Sequence, residues 1–254
     1  MDLYEAIAPF YAVLNGSVSY EKMAGFIQRA FLAHFDGEVH DVLDLGCGSG
    51  NVTFPLQRRG YGMIGVDASA AMLSEARAMP GGDEILWLCQ DMRAFELYGT
   101  VEGAVCTLDG INHLLQKRDV CACFTLVHNY LVPGGIFVFD VNTPYKFEHT
   151  YGNNSYIMEE DGVFCAWQNY YSKKSGRCHF AVDLFLEQES GEYERFSTDT
   201  REQRYTERQL RDMLKASGFT VLSVTNDYTD DAPDDTTERL TFVARAEKKC
   251  EEKA

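Results

Sequence analysis

The chain is poor in positive charge: 23 Lys and Arg stand against 39 Asp and Glu in 254 residues, a formal net charge of −16. Nucleic acid is disfavoured as the main substrate, because its phosphates would be repelled over the whole surface. Arg58-Arg59 is a local exception in sequence, although two arginines at a helix end more often serve the helix dipole. The eight cysteines include no C-x-x-C pair, and Cys121-Ala-Cys123 has no second pair at zinc-site spacing. No metal is expected. Free thiols in this number suit a reducing cytosol, where buried cysteine behaves as a small apolar residue. No apolar run approaches membrane-spanning length. The start, Met1-Asp-Leu-Tyr-Glu5, has neither the basic nor the apolar region of a signal peptide. The expectation is a cytoplasmic protein without a membrane partner.

Glycine, by contrast, is concentrated where it carries information. Asp41-Val-Leu-Asp44-Leu reads as a strand buried on both faces, and Gly46, Gly48 and Gly50 follow at every second position. Glycine permits positive φ and lets a ligand approach the backbone. A strand, a glycine turn and a helix start form a nucleotide-sized site at the strand's carboxyl end. In a dinucleotide fingerprint, G-x-G-x-x-G, the third glycine would come one residue later. Asp44, two residues before the first glycine, would also repel a pyrophosphate. An acid there suits a cationic ligand without phosphate, and S-adenosylmethionine, with its ammonium and sulfonium, is one. A tight turn with no ligand is the plainer alternative.

Two more strand ends carry acids. Tyr61 to Asp67 reads as a second strand, whose terminal carboxylate could accept from both ribose hydroxyls. Leu86 to Met92 reads as a third, with Asp91 able to accept from an adenine amino group and Met92 able to lie against the ring. Either acid alone is about as readily a helix cap or loop acid; acids at three successive strand ends favour a ligand.

Through VLDLGCGSGNVT, GVDAS with Met72-Leu73, CQDM and LVPGGIFVFDVNTPY, the chain resembles class I S-adenosylmethionine-dependent methyltransferases. More narrowly, it is similar to small bacterial members with a β-rich insertion after the fifth strand, some of which act on sugars or other small molecules. The resemblance implies cofactor contacts at Tyr11, Tyr20, Asp44, Gly46, Cys47, Gly48, Gly50, Asp67, Ala68, Met72, Asp91, Met92 and Leu108, with S-adenosylhomocysteine as product. Tyr11 is as readily core packing. The family often has Tyr-Asp where this chain has Tyr11-Ala12, so any role of that acid is in doubt.

In chain order, residues 2–35 read as two helices broken at Asn15-Gly16-Ser17, the second capped by Ser19. Helices are expected over 51–59, 69–79 and 118–131, and strands over 102–108 and 136–141. Alternating strands and helices imply a Rossmann-like, doubly wound, mostly parallel α/β sheet, with an antiparallel last strand implied by the family. Between 151 and 203 the pattern changes: Ser155 to Met158, Val163 to Tyr170, His179 to Leu186 and Tyr193 to Phe196 alternate at period two, with Asp161-Gly162, Ser175-Gly176 and Ser190-Gly191 as hairpin turns. This predicts an antiparallel insertion, about 150–204, within a single domain with core 36–148 and 205–247; the resemblance implies that the insertion covers the substrate side and that the N-terminal segment 1–35 caps the cofactor. Trp167, Tyr170 and Arg204 could line the pocket, although aromatics in a small sheet are more often core. Thr206 and Gln209 form a capping box for a helix running to Ser217, and strands follow at 219–226 and 240–246.

The loop after the fourth strand, Leu108-Asp109-Gly-Ile-Asn112-His113, gathers the candidate chemistry. Methyl transfer is an in-line displacement in which the protein mainly aligns the nucleophile, a contribution of roughly 7–11 kcal/mol. A base is needed only if the nucleophile arrives protonated. Asp109 is the first candidate to orient or deprotonate it and His113 the second, with Asn142 and Tyr145 as further rim residues. A cap at Asp109 and a packing role for His113 are the bland alternatives. The expected activity is methyl transfer to an N or O atom of a small-molecule acceptor. A non-catalytic cofactor-binding protein, a nicotinamide oxidoreductase and an RNA methyltransferase are the alternatives.

Overall fold

The computed structural model describes residues 19–160, 162–188 and 190–248. Tyr11, the first of the two N-terminal helices and the break after it lie outside the described residues.

The central sheet contains β1 (Asp41–Leu45), β2 (Gly62–Asp67), β3 (Leu86–Cys89), β4 (Val101–Cys106), β5 (Leu131–Asn142), β10 (Phe219–Asn226) and β11 (Arg239–Ala246). Its seven strands run in the order β10-β11-β5-β4-β1-β2-β3. The pairings from β5 through to β3 are parallel, and β11 runs antiparallel to both of its neighbours. The chain is thus a doubly wound α/β protein with a reversed strand near one edge. Right-handed crossovers bring the carboxyl ends of β1, β2, β3, β4 and β5 to one rim.

Two apolar layers enclose the sheet. On one face, α1 (Tyr20–His34), α2 (Thr53–Gln57) and α3 (Ala70–Ala78) contribute Phe26, Phe31, Phe54 and Leu73 to a core with Val42, Val105 and Val138. On the other, α4 (Lys117–Tyr130) and α5 (Glu207–Ala216) contribute Phe124 and Leu210 to a core with Leu43, Phe137 and Phe139. Strands with both faces buried read as continuous apolar runs, which is why the fold was legible.

Local chemistry sets the helix boundaries. Ser69 caps α3, its hydroxyl accepting from Met72 N at 3.3 Å. Thr206 and Gln209 form the expected reciprocal box on α5. Ser19 departs from expectation: its side chain makes no capping bond, although its carbonyl accepts from Met23 N. The fourth strand stops at Cys106 rather than 108, because Leu108 and Asp109 adopt φ of 53° and 59°.

The insertion is a four-stranded antiparallel meander, β6 (Ser155–Glu160), β7 (Val163–Ser172), β8 (Arg177–Glu187) and β9 (Tyr193–Gln203). It packs onto the core through Met72 of α3, which is buried with Val163, Cys165, Val182 and Leu184. The last strand runs seven residues past the apolar segment that ends at Phe196, and those polar residues reach the rim.

Candidate functional site

After β1 the chain turns under β2. Gly46 and Cys47 N–H both donate to Val66 O, at 2.8 and 3.2 Å. The Asp67 carboxylate closes the turn: one oxygen accepts from Gly48 N at 2.9 Å and the other from Ser69 N at 2.8 Å. Gly48, at φ 55°, has nothing within 4 Å of where a Cβ would stand, so its backbone faces open space. Gly50, at φ 84°, is needed for packing instead, since a Cβ there would meet Phe54 at 2.7 Å.

A cavity of about 640 Å³ opens over this turn. Gly46, Cys47, Gly48, Asp67, Ala68 and Met72 line it from the β1 and β2 ends, and Asp91, Met92, Leu108 and His113 from the β3 and β4 ends. Asp44, Gly50 and Tyr20 do not line it. Asp44 lies beneath the turn, 1 % exposed, with one oxygen accepting from Thr53 Oγ1 at 2.6 Å and the other without a hydrogen-bond partner. Burial pushes its carboxyl up to about 7, against the opposing bond from Thr53. Tyr20 sits one shell out, its hydroxyl accepting from Asn51, which lines the cavity. Asp91 is gripped by Arg93, whose Nε lies 2.9 and 3.0 Å from its two oxygens, and that bond holds the carboxyl below its usual range. A ligand amino group at Asp91 would have to share it with this guanidinium.

The β4 end is strained and heavily braced. A non-glycine residue at positive φ costs about 1–2 kcal/mol, and here two occur in succession. Asp140, fully buried on β5, holds them: its two oxygens accept from Leu108 N and Asp109 N, each at 2.7 Å. Tyr228 OH donates to the same carboxylate, and Arg239 Nε stands 3.5 Å away. Asp109 itself does not line the cavity; it lies behind His113, half-buried, with Asn142 Nδ2 at 2.9 Å from one oxygen. Burial pushes the Asp109 carboxyl up, but Arg239, Lys146 and His113 outweigh it and hold it below the usual range.

The insertion contributes more than the sequence suggested. Asp199, Thr200 and Arg201 of β9 line the cavity, opposite Gln116 and Asp119 at the start of α4. Glu202, 4 % exposed, reaches Asn142 Nδ2 at 3.1 Å. Among the described residues, Trp167, Tyr170 and Arg204 do not line the cavity: Trp167 packs on Phe180, Tyr170 stacks on His179, and Arg204 pairs with Glu148. Tyr145 packs on His149. The missed residues lie in the polar run Ser197-Thr-Asp-Thr-Arg-Glu-Gln203, whose only signal was that it precedes the capping box without a turn.

A mostly parallel sheet in this order with β11 reversed, a glycine turn after β1 and acids at the next two strand ends define the class I S-adenosylmethionine-dependent methyltransferases. The chain belongs to that family. Its residues 42–135 match the methyltransferase domain model. It is 31 % identical to YqeM of Bacillus subtilis (strain 168), named as a methyltransferase, over 97 % of this chain and 98 % of that one. Among solved structures, an S-adenosylmethionine-dependent methyltransferase from Clostridium acetobutylicum ATCC 824 superposes with a TM-score of 0.86 at 27 % identity, over 97 % of this chain and all of that one. CalS10, an amino pentose methyltransferase from Micromonospora echinaspora solved with S-adenosylmethionine bound, gives 0.73 at 22 %, over 96 % and 97 %.

The site suits that cofactor. It offers an open glycine backbone, a carboxylate at the β2 end, two methionines and a buried acid with an unpartnered oxygen. Among the described residues its glycine turn carries no lysine or arginine for a pyrophosphate. No described helix is long and apolar enough to cross a membrane.

Proposed function

We propose that this enzyme methylates an N or O atom of a small-molecule acceptor, an amine or amino sugar foremost. The supporting observation is the cavity over the strand ends: Asp199, Thr200 and Arg201 of β9 help to line it, and its volume is about 640 Å³. That volume falls in the range of small-ligand sites, about 300–1,000 Å³. On its walls Asp67, Asp91, Asp119 and Asp199 outnumber Arg93 and Arg201, an acidic excess that favours a cationic acceptor over a polyanion. The fold accommodates such acceptors elsewhere, as in the amino pentose methyltransferase and in KedS8, a sugar N-methyltransferase.

S-Adenosylmethionine, when bound, supplies an electrophilic methyl carbon that needs no further activation. We assign the glycine turn, Asp67, Met72, Asp91 and Met92 to holding it, and Asp44 to bracing the turn from below through Thr53. His113 is the group at the cavity wall that would take the acceptor's proton, and Asp109 behind it would meet the resulting charge. This reverses the order of the two candidates drawn from the sequence. Cofactor labelled in its methyl group, incubated with a panel of amines, amino sugars and hydroxylated metabolites, should pass label to a small-molecule product. Label appearing only in RNA, or in nothing while the cofactor binds, would contradict the proposal.

A further inference from the structure

We propose that Glu202, brought by β9 of the insertion, is a positioning residue for methyl transfer: as a neutral carboxylic acid it donates to Asp109 and so keeps one carboxylate, not two, facing His113. The proposal rests on the role given to His113 above and adds a residue from a different structural layer.

The geometry starts at Asn142, the buried last residue of β5. Lys146 Nζ, 2.9 Å from its Oδ1, can only donate, so Asn142 must present its carbonyl oxygen there and its NH2 on the other side. That NH2 lies 2.9 Å from Asp109 Oδ2, 3.1 Å from Glu202 Oε2 and 3.2 Å from Tyr151 OH. One amide thus gathers both carboxyls. One side-chain atom each of Asp109, His113 and Glu202 lies within 4.8 Å of the others.

A buried and a half-buried carboxylate this close cannot both ionise without repulsion, so one retains a proton. The surroundings decide which. Asp109 stands beside Arg239, Lys146 and His113, all of which favour its charged form. Glu202 is pushed well above the usual range by burial and by Asp109, with Asn142 and Lys146 opposing less strongly. Tyr151 and, from β8, Cys178 also face it, and neither supplies positive charge. Of the groups from β4, β5, β8, β11 and the turn after β5, the cations therefore stabilise Asp109 and leave the proton on Glu202. The same spacing would reach a metal ion, but the Asn142 NH2 already donates to both carboxyls and two cations stand alongside. That environment suits a retained proton.

In the transfer the acceptor N or O would gain the methyl carbon as the carbon–sulfur bond breaks, its electron pair leaving with the sulfur of S-adenosylhomocysteine. The acceptor N–H or O–H proton passes to His113, the positive charge on the imidazole is met by Asp109, and Glu202 keeps its own proton throughout. An ionised Glu202 would place a second negative charge beside His113 and raise its basicity further.

The test uses the full chain and needs no acceptor. NMR titration of the histidine ring signals, with His113→Asn to assign the resonance, is compared across the wild type, Asp109→Asn and Glu202→Gln. Asp109→Asn should lower the His113 midpoint by on the order of one pH unit. Glu202→Gln, neutral for neutral, should leave it within a few tenths. The infrared difference spectrum of wild type minus Glu202→Gln near neutral pH should show a buried protonated-carboxyl carbonyl band, with any band from Asp44 cancelling. A midpoint that falls as far in Glu202→Gln as in Asp109→Asn, or a difference spectrum that loses carboxylate rather than protonated-carboxyl intensity, would overturn the proposal. A positive result together with a silent acceptor panel would instead locate the failure in the proposed reaction, since the proton measurement does not depend on it. With an acceptor in hand, Glu202→Gln should retain turnover far better than Glu202→Ala; equal losses would contradict the positioning role.

Discussion

Asp44 shows how one buried carboxyl couples the turn to pH. Its acid form is favoured in the fold, with the carboxyl at about 7 against an ordinary 3.8. A raised carboxyl contributes stability fully below the unfolded value and loses it as pH rises through the folded one. Wild-type stability should therefore decline between pH 4 and 7, by about 1.4 kcal/mol per pH unit at most. Asp44→Asn should not share that decline, so denaturant melts at pH 5 and 8 should diverge; parallel curves would refute the assignment. Asp140 works by geometry instead. Asp140→Asn turns one acceptor into a donor facing the N–H of Leu108 or Asp109, and should cost about 1–3 kcal/mol in urea unfolding. An unchanged midpoint would mean the positive-φ pair is held by other contacts. The acids at the ends of β1, β2 and β3 were legible because each follows an apolar run. Glu202 was not, because its partners Asp109 and Asn142 are 93 and 60 residues away in sequence, and only the fold joins them.

At the scale of elements, the capping box of α5 and the anchoring of β9 separate folding from function. Thr206→Ala should cost about 1 kcal/mol of stability and leave the site intact. Asn112 is different. Fully buried, it donates to Gln203 O at 2.9 Å and accepts from Asn142 N at 2.9 Å, tying the end of β9 to the end of β5. Asn112→Ala strands both partners, so it should destabilise by about 1–3 kcal/mol and lower turnover more than cofactor affinity, as thermal melts and binding isotherms can show. Strand periodicity placed the four insertion strands, yet ended the last one at Phe196, because Ser197 to Gln203 has no apolar alternation. That run pairs with β8 over its full length, and backbone pairing across a sheet leaves little trace in side-chain type.

For the whole molecule, the negative field and the size of the cavity point the same way. A formal charge of −16 should keep polyanions off the surface at moderate ionic strength. The two apolar layers place the glycine turn, the carboxylate of Asp67 and the strained Asp109 loop on one rim, and Asp199, Thr200 and Arg201 of β9 line the same cavity. The most direct measurement of the central claim is calorimetric titration with S-adenosylmethionine, set beside S-adenosylhomocysteine and NAD. Binding of the first two with dissociation constants on the order of micromolar, about 8 kcal/mol, weakened by Asp67→Ala and absent for NAD, is the predicted result. A folded protein that binds neither S-adenosyl compound, or that prefers NAD, would contradict the account.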